Sequence, residues 1–150
     1  MKRYSQSGQT LIEVIIAIGL MVLVITTIVS GVVLSIRNNR YAKDQALSKE
    51  YVRETLEWLR SMRDQLGWDA FDATVRADGT TVQYCLDTLP ETIAEFDAKV
   101  HSSTCTVTIS GTPFVRSVTL TPAIVSSIHQ ITADAVVSWT EGSKTFTSQS

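Results

Sequence analysis

No charged residue occurs between Glu13 and Arg37, which leaves an uncharged run of 23 residues from Val14 to Ile36. A hydrocarbon layer about 30 Å thick is spanned by roughly 20 helical residues, so this run is long enough to cross a membrane. It is longer than the roughly 7–15 residues of a secretory h-region, and no small-residue cleavage site follows it. Arg37, Asn38, Asn39 and Arg40 come next and suit a helix surface. The run is therefore expected to remain in the mature protein. With 150 residues in all, the rest of the chain has room for one small domain. Thirteen basic against 15 acidic residues give no basic stripe, so no specific nucleic-acid partner is expected. A hydrophobic share of 44% is too high for a disordered chain.

Ahead of the run lies a short polar leader, residues 1–8 (MKRYSQSG), which carries Lys2 and Arg3 and closes on Gly8. Gln9-Thr10-Leu11-Ile12-Glu13 then opens the apolar segment. A carboxylate at the edge of a membrane run costs free energy unless it snorkels, pairs or neutralises. Near a helix N-terminus its charge is favourable. The string Gly8-Gln9-Thr10-Leu11-Ile12-Glu13, followed by Val14-Ile15-Ile16-Ala17-Ile18, resembles the class III signal of type IV pilins and pseudopilins.

That resemblance implies cleavage between Gly8 and Gln9 on the cytoplasmic side by a prepilin peptidase, followed by N-methylation of Gln9. It makes Glu13 the fifth residue of the mature chain, the position that takes part in filament assembly, with Thr10 beside it. The family's common first mature residue is Phe; Gln9 is more like certain minor pilins and the pilins of some atypical lineages. Counting Lys and Arg on either side points the other way. Arg37, Arg40 and Lys43 outnumber Lys2 and Arg3, and charge alone would put the C-terminal part in the cytoplasm. The signal motif instead places the leader inside.

No proline occurs before Pro90, so nothing obvious stops the helix after Ile36. Many major pilins carry a helix-breaking Pro where this chain has Ser30; Gly31 is left as a weak spot. From Tyr41 to Leu66 the pattern is helical, with Val52, Leu56, Leu59 and Leu66 along one seam. Leu47, Tyr51, Trp58 and Met62 form an adjacent seam. Glu50, Arg53, Glu57, Arg60 and Asp64 make a solvated face of alternating sign. Two seams are wide enough either for a single core face or for a core seam plus a subunit contact. A helix from Thr10 to Leu66 would be about 86 Å long, more than a small domain can bury, and a filament core would supply the missing cover. The a/d spacing is too irregular for a coiled coil.

Gly67 is the first expected helix stop, and Asp78-Gly79 marks a turn. Beyond it, Thr80–Cys85, Thr104–Ile109, Val115–Leu120, Ala135–Thr140 and Lys144–Thr147 alternate with period two and are rich in β-branched residues. Gly111-Thr112-Pro113 and Glu141-Gly142-Ser143 separate strands. Leu89–Phe96 reads as a short helix. The fold class is α+β: a long N-terminal helix with a small antiparallel sheet on its distal half, as the pilin resemblance also implies. The segments are residues 1–8 (leader), 9–36 (membrane or filament-core helix), 37–66 (amphipathic continuation) and 67–150 (β-rich globular region).

Cys85 and Cys105 both fall in the part expected to be exported, which favours a disulfide linking the first strand to the second. They are not spaced as a redox C-x-x-C pair, and His101 and His129 do not complete a zinc site. Asp69, Asp72 and Asp78 lack calcium-loop spacing and read as surface turn acids. Trp58, Trp68 and Trp139 read as core or interface anchors. No catalytic constellation, cofactor site or metal site is expected.

The expected role is a structural subunit of an extracellular type IV pilus, held first in the inner (cytoplasmic) membrane and then in a surface filament. Its partners would be other pilin subunits, the prepilin peptidase/methylase and the inner-membrane assembly platform. The alternatives are a pseudopilin of a type II secretion or DNA-uptake machine, and a monomeric membrane-anchored binding module.

Overall fold

The computed structural model describes residues 7–77, 81–99 and 104–150; of residues 7–10, 93 and 97 it describes the backbone alone. Lys2, Arg3, Asp78, Gly79 and His101 lie outside the described residues. The protein is α+β. Helix α1 (Ser7–Leu66) is followed by α2 (Trp68–Ala77), β1 (Val82–Cys85), α3 (Ile93–Asp97), β2 (Val115–Val125), β3 (Ile128–Glu141) and β4 (Lys144–Gln149). Two compact units result, Met1–Lys43 and Asp44–Ser150.

In the second unit the four strands form an antiparallel sheet in chain order, β1-β2-β3-β4. The sheet packs on residues 44–66 of α1. Ser48, Val52, Thr55, Leu59 and Met62 are all buried and recur at spacings of four and three, the period of one helix face. Ser48 and Thr55 sit in this apolar stripe because their hydroxyls donate to the backbone one turn back, to Gln45 O (3.0 Å) and Tyr51 O (2.7 Å). Both seams expected from the sequence are covered within this unit and merge into a single core face, apart from Leu47, which is 38% exposed.

The core has two centres. One joins Leu59, Phe71, Val75, Tyr84, Phe96, Val118 and Leu120; the other joins Val52, Phe114, Ala135, Val137 and Trp139. Aromatic contacts stitch α3 to the first: Phe96 stacks on Tyr84 with ring centroids 4.2 Å apart, and Trp58 tilts onto Phe96 at 5.3 Å. The Trp58 indole N–H donates to Pro90 O (2.7 Å), which satisfies its polar end and fixes the segment before α3. Thr92 caps α3 by accepting the Glu95 N–H.

Gly67 ends α1 at φ +79°, a conformation that glycine adopts without a Cβ penalty. The chain then enters a second helix rather than a turn. Trp68, Phe71 and Val75 recur at helical spacing, and Phe71 and Val75 enter the core, so residues 68–77 coil under the sheet. Asp69 stays exposed in the first turn. Asp72 is 6% exposed and is a buried helical acid, which corrects its reading as a surface turn residue.

Thr104–Ile109 does not form a strand. Its one pairing is a bridge from Thr108 to Val115. Thr112 N–H donates to Ile109 O, Ile109 N–H donates to Phe114 O, and Gly111 sits at φ +75°, so the chain turns back at once and no ladder can extend. The other hairpins are tight. Gly142 (φ +64°) leads the two-residue turn between β3 and β4. Ser126 (φ +52°) and Ser127 (φ +65°) form the turn between β2 and β3, the positive-φ pattern of a type I′ turn built here without glycine.

Candidate functional site

Residues 11–36 form the outstanding surface. Every Leu, Ile, Val and Met from Leu11 to Ile36 is between 44% and 65% exposed, on all sides of the helix. None of the candidate span is buried, and its mean hydropathy reaches 2.8. An apolar surface of this extent is not stable against water and requires lipid or protein around it. The helix is long and apolar enough to cross a membrane, which is compatible with a membrane-anchored protein.

Three polar side chains inside the run, Thr26, Thr27 and Ser30, are made compatible with an apolar medium. Thr26 Oγ1 donates to Leu23 O (2.9 Å), Thr27 Oγ1 to Val24 O (2.7 Å) and Ser30 Oγ to Thr26 O (2.8 Å). Each hydroxyl thus spends its proton on the helix backbone instead of facing lipid unsatisfied. α1 runs unbroken through Ser30 and Gly31. A Cβ added at Gly19 or Gly31 would meet nothing within 4 Å, so packing within the single chain requires neither glycine.

At the head of the segment, Gly8, Gln9 and Thr10 lie in the opening turns of α1 by backbone. Glu13 follows on the same helix, exposed. These residues sit together at one end of the apolar surface, with the sole carboxylate of the stretch from Leu11 to Ile36 two positions beyond its first aliphatic.

Cys85 and Cys105 are joined in a disulfide with Cα atoms 5.4 Å apart. It ties the end of β1 to the segment before the Thr108 bridge, rather than strand to strand. The loop it closes carries α3 and is further held by Lys99 Nζ, which donates to Asp87 Oδ1 (2.6 Å) and Thr88 Oγ1 (3.0 Å). The Lys99 ammonium keeps the Asp87 carboxyl below the usual carboxylate range.

Two charged clusters were not legible as such in the sequence. Arg116, 3% exposed on β2, donates through Nε to Leu86 O (3.2 Å) and through Nη1 to Glu54 Oε2 on α1 (3.0 Å). Burial pushes its guanidinium down from the ordinary arginine range, while Glu54 opposes that shift. Asp72 accepts both Arg76 Nε contacts (2.8 and 2.9 Å) and meets His129 Nδ1 at 2.6 Å. The Arg76 guanidinium holds the Asp72 carboxyl below the usual range; burial opposes this and His129 reinforces it. Arg76 also donates to Ala123 O (3.0 Å), so α2 grips both strands of the β2–β3 hairpin. Trp68 is 40% exposed and Trp139 buried, so only the second of these two is a core residue. Among the described residues no cluster of metal-ligating side chains occurs.

No family model, curated protein or solved structure matches the chain.

Proposed function

We propose that this chain is a structural, non-catalytic subunit of an extracellular type IV pilus filament, assembled through its N-terminal helix after prepilin peptidase cleavage. The observation that carries this reading is the helix from Leu11 to Ile36, apolar on every side and headed by Gly8-Gln9-Thr10-Leu11-Ile12-Glu13. Lipid covers such a surface in the precursor, and the helices of neighbouring subunits cover it in the filament. The Cys85–Cys105 disulfide supports export of the second unit, since disulfides persist in oxidising compartments. It weighs against the orientation that charge counting alone would give.

In this reading Gly8 lets the peptidase approach the backbone closely. The cut gives Gln9 a cationic amine, which the methylase retains by methylation. Cyclisation of the N-terminal Gln would delete that charge. Glu13 neutralises the amine of an adjacent subunit inside the apolar packing, where an unpaired carboxylate is costly. The remaining partners are other pilin subunits and the inner-membrane assembly platform.

Mass spectrometry of the N-terminal peptide from sheared cell-surface filaments tests the reading. The expected peptide begins at a methylated, uncyclised Gln9. A filament-incorporated chain beginning at Met1 or Lys2 would contradict it.

A further inference from the structure

Arg37, Arg40 and Lys43 follow the apolar run at spacings of three on α1. All three are exposed, and no Asp or Glu occurs between Glu13 and Asp44. At about 100° per residue they fall within about 120° of the helix circumference, and the uncharged Asn38, Asn39 and Ala42 occupy the other side. Elsewhere Arg53, Arg63, Arg76, Lys99 and Arg116 each face a carboxylate at 3.0 Å or less. Arg37, Arg40 and Lys43 have no such side-chain partner among the described residues. Their charge is left for something outside the chain.

The run before them sets their place along the helix. Residues 14–36 are helical throughout and rise about 34 Å, against a hydrocarbon layer about 30 Å thick. With the run in that layer, Arg37 stands at its boundary. Arg40 and Lys43 follow about 4.5 and 9 Å further out along the axis. The headgroup zone is about 5–8 Å deep on each side, so Arg37 and Arg40 lie within it. Lys43 lies just beyond. The Cα–Cβ bonds of a helix tilt toward its N-terminus, here toward the bilayer, and a lysine stem bridges the remaining distance. Tyr41, 37% exposed, adds an amphipathic ring of the kind enriched at this depth.

We propose that Arg37, Arg40 and Lys43 form a collar that binds the phosphates of anionic membrane lipids and fixes the depth of the helix. The collar rests on the membrane-held state in the function proposed above. An arginine guanidinium pairs with two phosphate oxygens at once, and the lysine ammonium adds a compact charge. Each cation close to an anionic surface strengthens binding about fivefold, and salt screens the effect. Lys and Arg beyond a span disfavour its export. In the exported orientation topology gives these three no role, whereas phosphate contact gives them one in either leaflet. The acidic residues on the solvated face of a neighbouring chain are the competing occupant. They suit the collar less well, because Glu57 is already held by Arg53 (2.8 Å) and Asp64 by Arg63 (2.7 Å).

The test is the lipid shell kept by the full chain in vesicles of equal parts phosphatidylcholine and phosphatidylglycerol. A Lys2→Gln/Arg3→Gln parent removes the leader's own cations from the measurement. Mild detergent extraction and lipid mass spectrometry should show phosphatidylglycerol enriched at least about threefold over the bulk, and less so at high salt. Adding Arg37→Gln/Arg40→Gln/Lys43→Gln should return the shell to bulk composition, whereas Arg37→Lys/Arg40→Lys should keep most of the enrichment. All three side chains are exposed, so the thermal midpoint of the second unit should stay unchanged in both variants. A bulk-like shell around the parent, or equal enrichment around the triple Gln variant, would overturn the collar. A carbodiimide cross-link from Lys43 to an acid of a second chain in the same vesicles would give the collar to a neighbouring subunit and overturn it too. Release of the parent chain from vesicles by an alkaline wash would remove the membrane-held state itself, a failure distinct from that of the collar.

Discussion

The two halves of α1 use their apolar side chains in opposite ways. Residues 11–36 display aliphatics around the whole circumference and bury none, whereas residues 44–66 confine theirs to one face and bury it under a sheet. The distal half carries its core in the same chain. The proximal half takes its cover from outside. A helix pattern without a polar side thus marks where the chain depends on lipid or other chains, and a pattern with one marks where it is self-sufficient.

The sharpest way to break this contrast is a matched pair of truncations. Leu120→Ala in the sheet should destabilise the globular unit by about 2–5 kcal/mol, because Leu120 is fully buried. Leu23→Ala in the exposed half should leave the thermal midpoint of that unit unchanged in detergent. Equal shifts from both, measured by near-ultraviolet circular dichroism, would mean that the proximal half has a core in the isolated chain. Replacing Cys85 and Cys105 by Ala should cost about 3 kcal/mol, since the crosslink spans 20 residues of chain. The loss should fall on the globular unit only.

A smaller, pH-dependent effect should come from Asp72. Its carboxyl is held below its ordinary value in the folded chain, so its contribution is present above the unfolded-state pKa and is lost as pH falls through the folded one. Stability should therefore decline from about pH 5 downward, and Asp72→Asn should flatten that decline in urea titrations. An unchanged acid limb would mean that other carboxylates set it. The smallest effect is expected at the β2–β3 turn, where Ser127 occupies φ +65°. Ser127→Gly should raise stability by up to about 1 kcal/mol by relieving left-handed strain. A lower denaturation midpoint would instead mean that the serine side chain compensates that strain.

Much of this architecture is written in local pattern. The uncharged run, the Gly67 stop, the Gly142 turn and the alternation around Val118, Val137 and Phe146 all act through nearest neighbours, and each appears where its pattern lies. The disulfide also joins the two cysteines that composition singled out. Other features depended on the third dimension. α2 is short and follows the helix stop at Gly67 directly, yet Trp68, Phe71 and Val75 carried its helical period. Ser48 and Thr55 look polar in sequence, and only backbone capture of their hydroxyls admits them to the core. The long β2–β3 arm was hidden by Pro122 and by a turn made of two serines rather than of Asn or Gly. The Asp72–His129 contact spans 57 residues, a distance at which spacing carries no signal. The proposed assembly site is read from the sequence alone, from a leader, a glycine and a glutamate at fixed separation, and the proposal places their pairing partners on another chain.

Filament yield from a Glu13→Gln strain, measured together with the mass of the first peptide, bears most directly on the proximal half as an assembly element. The expected result is a chain cut normally after Gly8, with methylated Gln9, that accumulates in the membrane and forms no filaments. Wild-type filament yield from the same strain would contradict pairing between Glu13 and a neighbouring amine, and with it the assembly role given to this end of the helix.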